Sequence, residues 1–149
     1  MNSNRDQKYN ASGYLDITAY LAIKAADGDK SGRLPKPNAP KVYICSPFAG
    51  DPENNIKKAL RYCRFALTRG NFPVAPHCYF PLFMDDDIPT ERELALAFGI
   101  RMLGGCRELW VFGERISEGM KKEIAAAKNK GIPVRRFNDA MEETAYETC

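Results

Sequence analysis

The chain has 149 residues, 44% hydrophobic and 28% charged, enough for one globular domain with a real core. Its net charge of +3 comes from lysines and arginines scattered among acids, so the concentrated basic stripe of a dedicated nucleic-acid binder is missing. No apolar run approaches the roughly 20 residues that span a bilayer, and the polar start Met1–Asn10 does not read as a signal peptide, so neither membrane nor nucleic acid is expected as a partner.

Met1–Ser12 reads as disordered. Tyr14–Ala26 places Leu15, Ala19, Leu21, Ala22, Ile23 and Ala26 so as to predict a short helix from about Asp16 to Ala26. Asp27–Pro40 is rich in Gly and Pro and reads as a linker. The expected division is therefore an N-terminal tail, helix and linker over 1–40, and an α/β domain over 41–149.

Strands and helices then alternate. Val42–Cys45 is a short β-rich run. Asn54–Arg69 carries Ile56, Ala59, Leu60, Cys63 and Leu67 at helical spacing, with Gly70 as its stop. Phe72–Ala75 predicts a second strand. Pro76–Pro81 reads as a loop that runs on to Asp85-Asp86-Asp87. Thr90–Leu103 predicts a helix opened by a capping box of Thr90 and Glu93. Leu109–Phe112 is a third strand, Ser117–Lys130 a helix closed by Gly131, Ile132–Arg136 a fourth strand, and Asn138–Glu147 a last helix. This alternation implies a Rossmann-like (flavodoxin-like) parallel sheet of 4–5 strands with helices on both faces. Ligands bind such sheets at the carboxyl ends of the strands. Here those ends are Ser46–Asp51, Pro76–Phe80 and Gly113–Gly119.

Three segments carry candidate chemistry. Ser46, Phe48 and Gly50 follow the first strand in a loop that is neither a Walker A nor a GxGxxG motif; it reads equally as a binding loop or a plain turn. His77 is the only histidine and stands at the ligand edge beside Cys78, with no third residue at metal-ligand spacing. The run Asp85–Asp87 reads as a solvated loop or a cation site, and Arg92 beyond it is within reach of a phosphate. Ser117 is a good N-cap, and Gly119 leaves the following backbone uncovered, so this helix start suits an anion. Glu123 lies three residues after Met120, on the apolar stripe Met120–Ile124–Ala127. A carboxylate there is costly unless it is paired or opens into a cleft. The five cysteines, Cys45, Cys63, Cys78, Cys106 and Cys149, form no CxxC pair and read as free thiols of a reducing cytoplasm.

Tyr43, the Ser46–Gly50 loop and Ser117-x-Gly119-x3-Glu123 together resemble the nucleoside 2-deoxyribosyltransferase-like superfamily. The nearest-looking branch consists of uncharacterised phage and bacterial proteins with YICSPFxGD, PHxYF, ELWVFG and ISxGMxxE. The likeness covers about Lys41–Phe137. It implies cleavage or transfer at the N-glycosidic bond of a nucleoside or its 5'-monophosphate, without cofactor or metal. Glu123 would be the nucleophile and Tyr43 its hydrogen-bond partner. Ser117 would hold the 5'-phosphate, with Ser46, Phe48, Gly50, His77, Arg92, Gly119 and Met120 around the ligand. The implied partner is a small-molecule nucleoside or nucleotide, and the implied assembly a homo-oligomer. Two positions depart from the pattern: the aspartate that assists base departure falls on Gly99, and the one that opens the third strand falls on Arg107. These departures favour an alternative, a non-catalytic nucleotide-binding or sensing module on the same fold.

Overall fold

A computed structural model of the chain describes residues 34–145. The expected Asp16–Ala26 helix, the polar start and Cys149 lie outside those residues. The elements are β1 (Lys41–Cys45), α1 (Pro52–Thr68), β2 (Phe72–Val74), α2 (Pro89–Leu103), β3 (Glu108–Phe112), α3 (Glu118–Asn129), β4 (Val134–Phe137) and β5 (Glu143–Thr144). They form one sheet in the order β2-β1-β3-β4-β5. The first four strands are parallel, while β5 pairs antiparallel with β4. The order 2-1-3-4-5 is that of flavodoxin-like folds.

After their charged first residues, Lys41 and Glu108, the strands β1 and β3 are apolar because both their faces are covered. Side chains alternate across the sheet. Tyr43, Cys45, Leu109 and Val111 pack with Leu103 of α2 and with Met120, Ile124 and Ala127 of α3. Val42, Ile44, Trp110 and Phe112 pack on the other face with Tyr62 and Ala66 of α1. Tyr62 stacks on Phe112 with ring centroids 4.2 Å apart, and Phe65 meets Phe137 edge to face. Full burial of each large apolar side chain contributes about 1.5–3 kcal/mol.

Three local expectations are corrected. The described part of the expected Asn138–Glu147 helix, residues 138–145, is not helical. Its chain turns at Met141, whose φ is +63°, and the Glu142 N–H donates to Asn138 Oδ1 at 3.0 Å. Arg135 then grips Glu143 through two hydrogen bonds of 2.9 and 2.7 Å, which holds β5 against β4. Thr90 does not cap α2 either. The N-cap is Ile88, without a side-chain hydrogen bond, and Pro89 opens the helix, its ring presetting the helical φ. Pro76–Pro81 is more ordered than a loop: Pro76–Cys78 and Phe80–Leu82 are single 3-10 turns. Among the described residues no helix is long and apolar enough to cross a membrane. There Cys45, Cys63, Cys78 and Cys106 are free thiols.

Candidate active site

The strand order reverses at β1, which has β2 on one side and β3 on the other. The carboxyl ends of β1 and β3 therefore flank the crevice of an open α/β sheet. A cavity of about 510 Å³ opens at that edge, walled by the loops after β1, β2 and β3 and by the first turns of α2 and α3. That volume lies within the range of small-molecule sites.

Glu123 and Tyr43 both line it. Tyr43 points from β1 toward α3, and its Oη donates to Glu123 Oε1 at 3.1 Å. The tyrosine is 1% exposed. Burial and the neighbouring carboxylate raise its pKa far above the ordinary tyrosine range, so it stays a neutral donor. Burial pushes the Glu123 carboxyl up to about 7, against the opposing pull of hydrogen bonds from Cys45 and Tyr43. This carboxyl is thus poised between acid and carboxylate near neutral pH. The Cys45 thiol is held protonated by burial and by Glu123, and its Sγ also faces the Met120 carbonyl at 4.0 Å.

Ser46 continues β1 into the cavity wall and is buried. Its Oγ lies 2.8 Å from His77 Nε2, so the ends of β1 and β2 are joined by this pair. Burial lowers the histidine pKa to about 4 and keeps the ring neutral at physiological pH. Ser117 caps α3 as its spacing predicts: Oγ accepts from the Met120 N–H at 3.3 Å, which leaves the hydroxyl proton available to a ligand. The Met120 sulfur turns back to the Ser117 N–H at 3.5 Å. A Cβ on Gly119 would meet only Ser117 Oγ, at 4.0 Å. The protein itself therefore does not need glycine there, whereas a ligand seated on the helix start would come close to that backbone.

A family model described as a domain of unknown function (DUF7768) matches residues 40–137. The chain belongs to this DUF7768 family. The cavity-lining residues, from Tyr43 to Glu123, all fall inside the DUF7768 domain. Among solved structures, a 2-deoxyribosyltransferase from the psychrotolerant bacterium Bacillus psychrosaccharolyticus is similar, with a TM-score of 0.51 and 18% identity. The match covers 70% of this chain and 77% of that one. The DUF7768 chain thus shares the flavodoxin-like fold of a 2-deoxyribosyltransferase. No curated protein sequence matches it.

Of the residues singled out from sequence, Phe48, Arg92, Ser117, Gly119 and Met120 also line the cavity, whereas Gly50 does not. Gly50 sits outside at φ +97°, where it turns the chain toward α1. Arg92 is bound to its own loop: Nε donates to the Asp86 carbonyl at 2.9 Å and lies 3.8 Å from the Asp86 carboxylate. Two features were not readable in advance. Cys45 reads as an ordinary buried thiol, yet it touches Glu123. Gly99 reads as a missing acid, yet a Cβ there would lie 2.7 Å from Tyr43 Oη. Among the described residues, no cluster of three or more His, Cys, Asp or Glu could hold a metal ion.

Proposed function

We propose that this protein cleaves or transfers at the N-glycosidic bond of a nucleoside or nucleoside 5'-monophosphate, with Glu123 as nucleophile. The observation that carries this reading is the Tyr43–Glu123 hydrogen bond of 3.1 Å in a cavity at the switch point of the sheet. A carboxylate there can attack an anomeric carbon from one face while the base departs from the other. Tyr43 orients it and stabilises its ionised form. The Ser117 hydroxyl and the free N–H groups of the first turn of α3 would receive the 5'-phosphate, helped by the helix dipole. The likeness in fold to a 2-deoxyribosyltransferase agrees with this chemistry. Water as acceptor gives hydrolysis, and a second base gives transfer.

The test is incubation with a panel of nucleosides and nucleoside monophosphates, in ribose and 2'-deoxyribose forms, with chromatographic detection of free base. Release by the wild type and its loss in Glu123→Ala are expected. A panel with no base release, or equal release by the variant, rejects the assignment.

A further inference from the structure

We infer, on the glycosidic reading above, that this site selects N-glycosides whose base is already cationic: a quaternised heteroaromatic ring such as an N-substituted pyridinium or an N7-alkylpurine. Breaking the bond from C1' to a neutral base leaves an anion unless a proton arrives, and supplying that proton is the work of a general acid. With a cationic base, the bonding pair returns to the ring nitrogen and a neutral molecule departs. Glu123 gives up its negative charge to form the glycosyl ester, the base loses its positive charge, and no proton moves. Water then attacks C1', the Glu123 carboxylate is regenerated, and the proton leaves to solvent.

The groups that touch or approach Glu123 suit a leaving group that needs no proton. At Gly99, α2 has no room for a side chain unless Tyr43 moves. A Cβ at Gly99 would lie 2.7 Å from Tyr43 Oη and 3.8 Å from Glu123 Oε1. The Tyr43 hydroxyl proton is committed to Glu123. His77 is neutral, and its Nε2 is taken up by Ser46.

Other residues of the cavity lining supply charge in place of protons. Asp85, Asp86, Asp87, Glu91 and Glu93 all line the cavity, against two cations, Arg92 and Lys122. This acidic wall belongs to a chain whose net charge is +3. Three of its carboxylates are engaged as acceptors or ion-pair partners: Asp85 Oδ1 takes the Asp87 N–H at 2.9 Å, Glu91 Oε1 takes the Asp85 N–H at 3.3 Å, and Asp86 lies 3.8 Å from Arg92. A cationic ring is attracted by this field, and the aromatic side chains of Phe48 and Phe80 line the same cavity.

The experiment uses pairs that differ in the charge on the base. N7-methylguanosine 5'-monophosphate is set against guanosine 5'-monophosphate, each as ribose and 2'-deoxyribose, with nicotinamide mononucleotide as the pyridinium case. Base release is measured above that of E123Q, and binding to E123Q is measured by calorimetry. The cationic member should show kcat/KM higher by roughly 100-fold or more, the size of a general-acid contribution. It should also bind E123Q roughly tenfold more tightly at low salt. Equal turnover or equal binding within a pair overturns the cationic-base inference and leaves the glycosidic reading standing. Cleavage of neither member overturns both.

Discussion

Tyr43 Oη donates to Glu123 Oε1 across 3.1 Å, tying β1 to α3 between residues 80 positions apart in sequence. The hydrogen bond favours the carboxylate, while burial favours the acid, and burial prevails: the Glu123 pKa stands at about 7. A hydrogen bond to a charged group contributes about 1.5–3 kcal/mol. Tyr43→Phe should therefore slow base release by about ten- to a hundredfold. It should also move the rising limb of the pH–rate profile to higher pH, because a support of the carboxylate form is gone. An unchanged limb would show that the tyrosine does not act through Glu123.

Two half-buried groups make stability depend on pH with opposite signs. Glu123 has a pKa raised from 4.5 to about 7, so the native state holds a proton that the unfolded state has lost between those values. Its contribution therefore falls as pH rises through that window, by about 3 kcal/mol at 1.4 kcal/mol per unit. His77 has a pKa lowered from 6.5 to about 4, so the unfolded state binds the extra proton and stability falls as pH drops through that window. The wild type should show partial cancellation. E123Q should retain only the loss on acidification, and should exceed the wild type in stability above pH 7. Urea midpoints between pH 4 and 8 measure both.

Gly99→Ala is the sharpest steric test. Its Cβ would sit 2.7 Å from Tyr43 Oη, closer than real Cβ contacts come, and Tyr43 is only 1% exposed, so it must be pushed from its place. Overpacking of this kind costs about 1–3 kcal/mol. The predicted outcome is a lower denaturation midpoint together with displacement of Tyr43 from Glu123, seen as a shifted pH–rate profile. Full stability in the variant would mean that α2 lies farther from β1.

Ser117→Ala removes the cap of α3 and should cost about 1 kcal/mol. If the same hydroxyl grips phosphate, KM should rise for 5'-monophosphates and stay level for the matching nucleosides. An equal rise for both would place the phosphate elsewhere.

Much of this arrangement was legible in the chain. The apolar run Val42–Cys45, the helical spacing of Ile56–Leu67, the Ser117 cap and the carboxylate on the Met120–Ile124 stripe are local signals, and they fall where the structure has them. What escaped is non-local or decided by competition. Thr90 is a better cap than Ile88 in isolation, but Pro89 sets where α2 begins. Asn138–Glu147 has residues compatible with a helix, but Arg135 draws Glu143 to the sheet edge. The Ser46–His77 contact spans 31 positions, and no spacing rule joins them. Gly99 is the clearest case. Counted along the chain it is an acid lost; seen against Tyr43 it is a position with no room for one.

The central assignment is that Glu123 is the nucleophile. Its most direct test is mass spectrometry of the rapidly quenched protein, digested after incubation with the best substrate of the panel. The prediction is a glycosyl mass increment on the peptide containing Glu123, absent from E123Q, together with free base. Base release with the increment on another residue, or undiminished base release by E123Q, would contradict it.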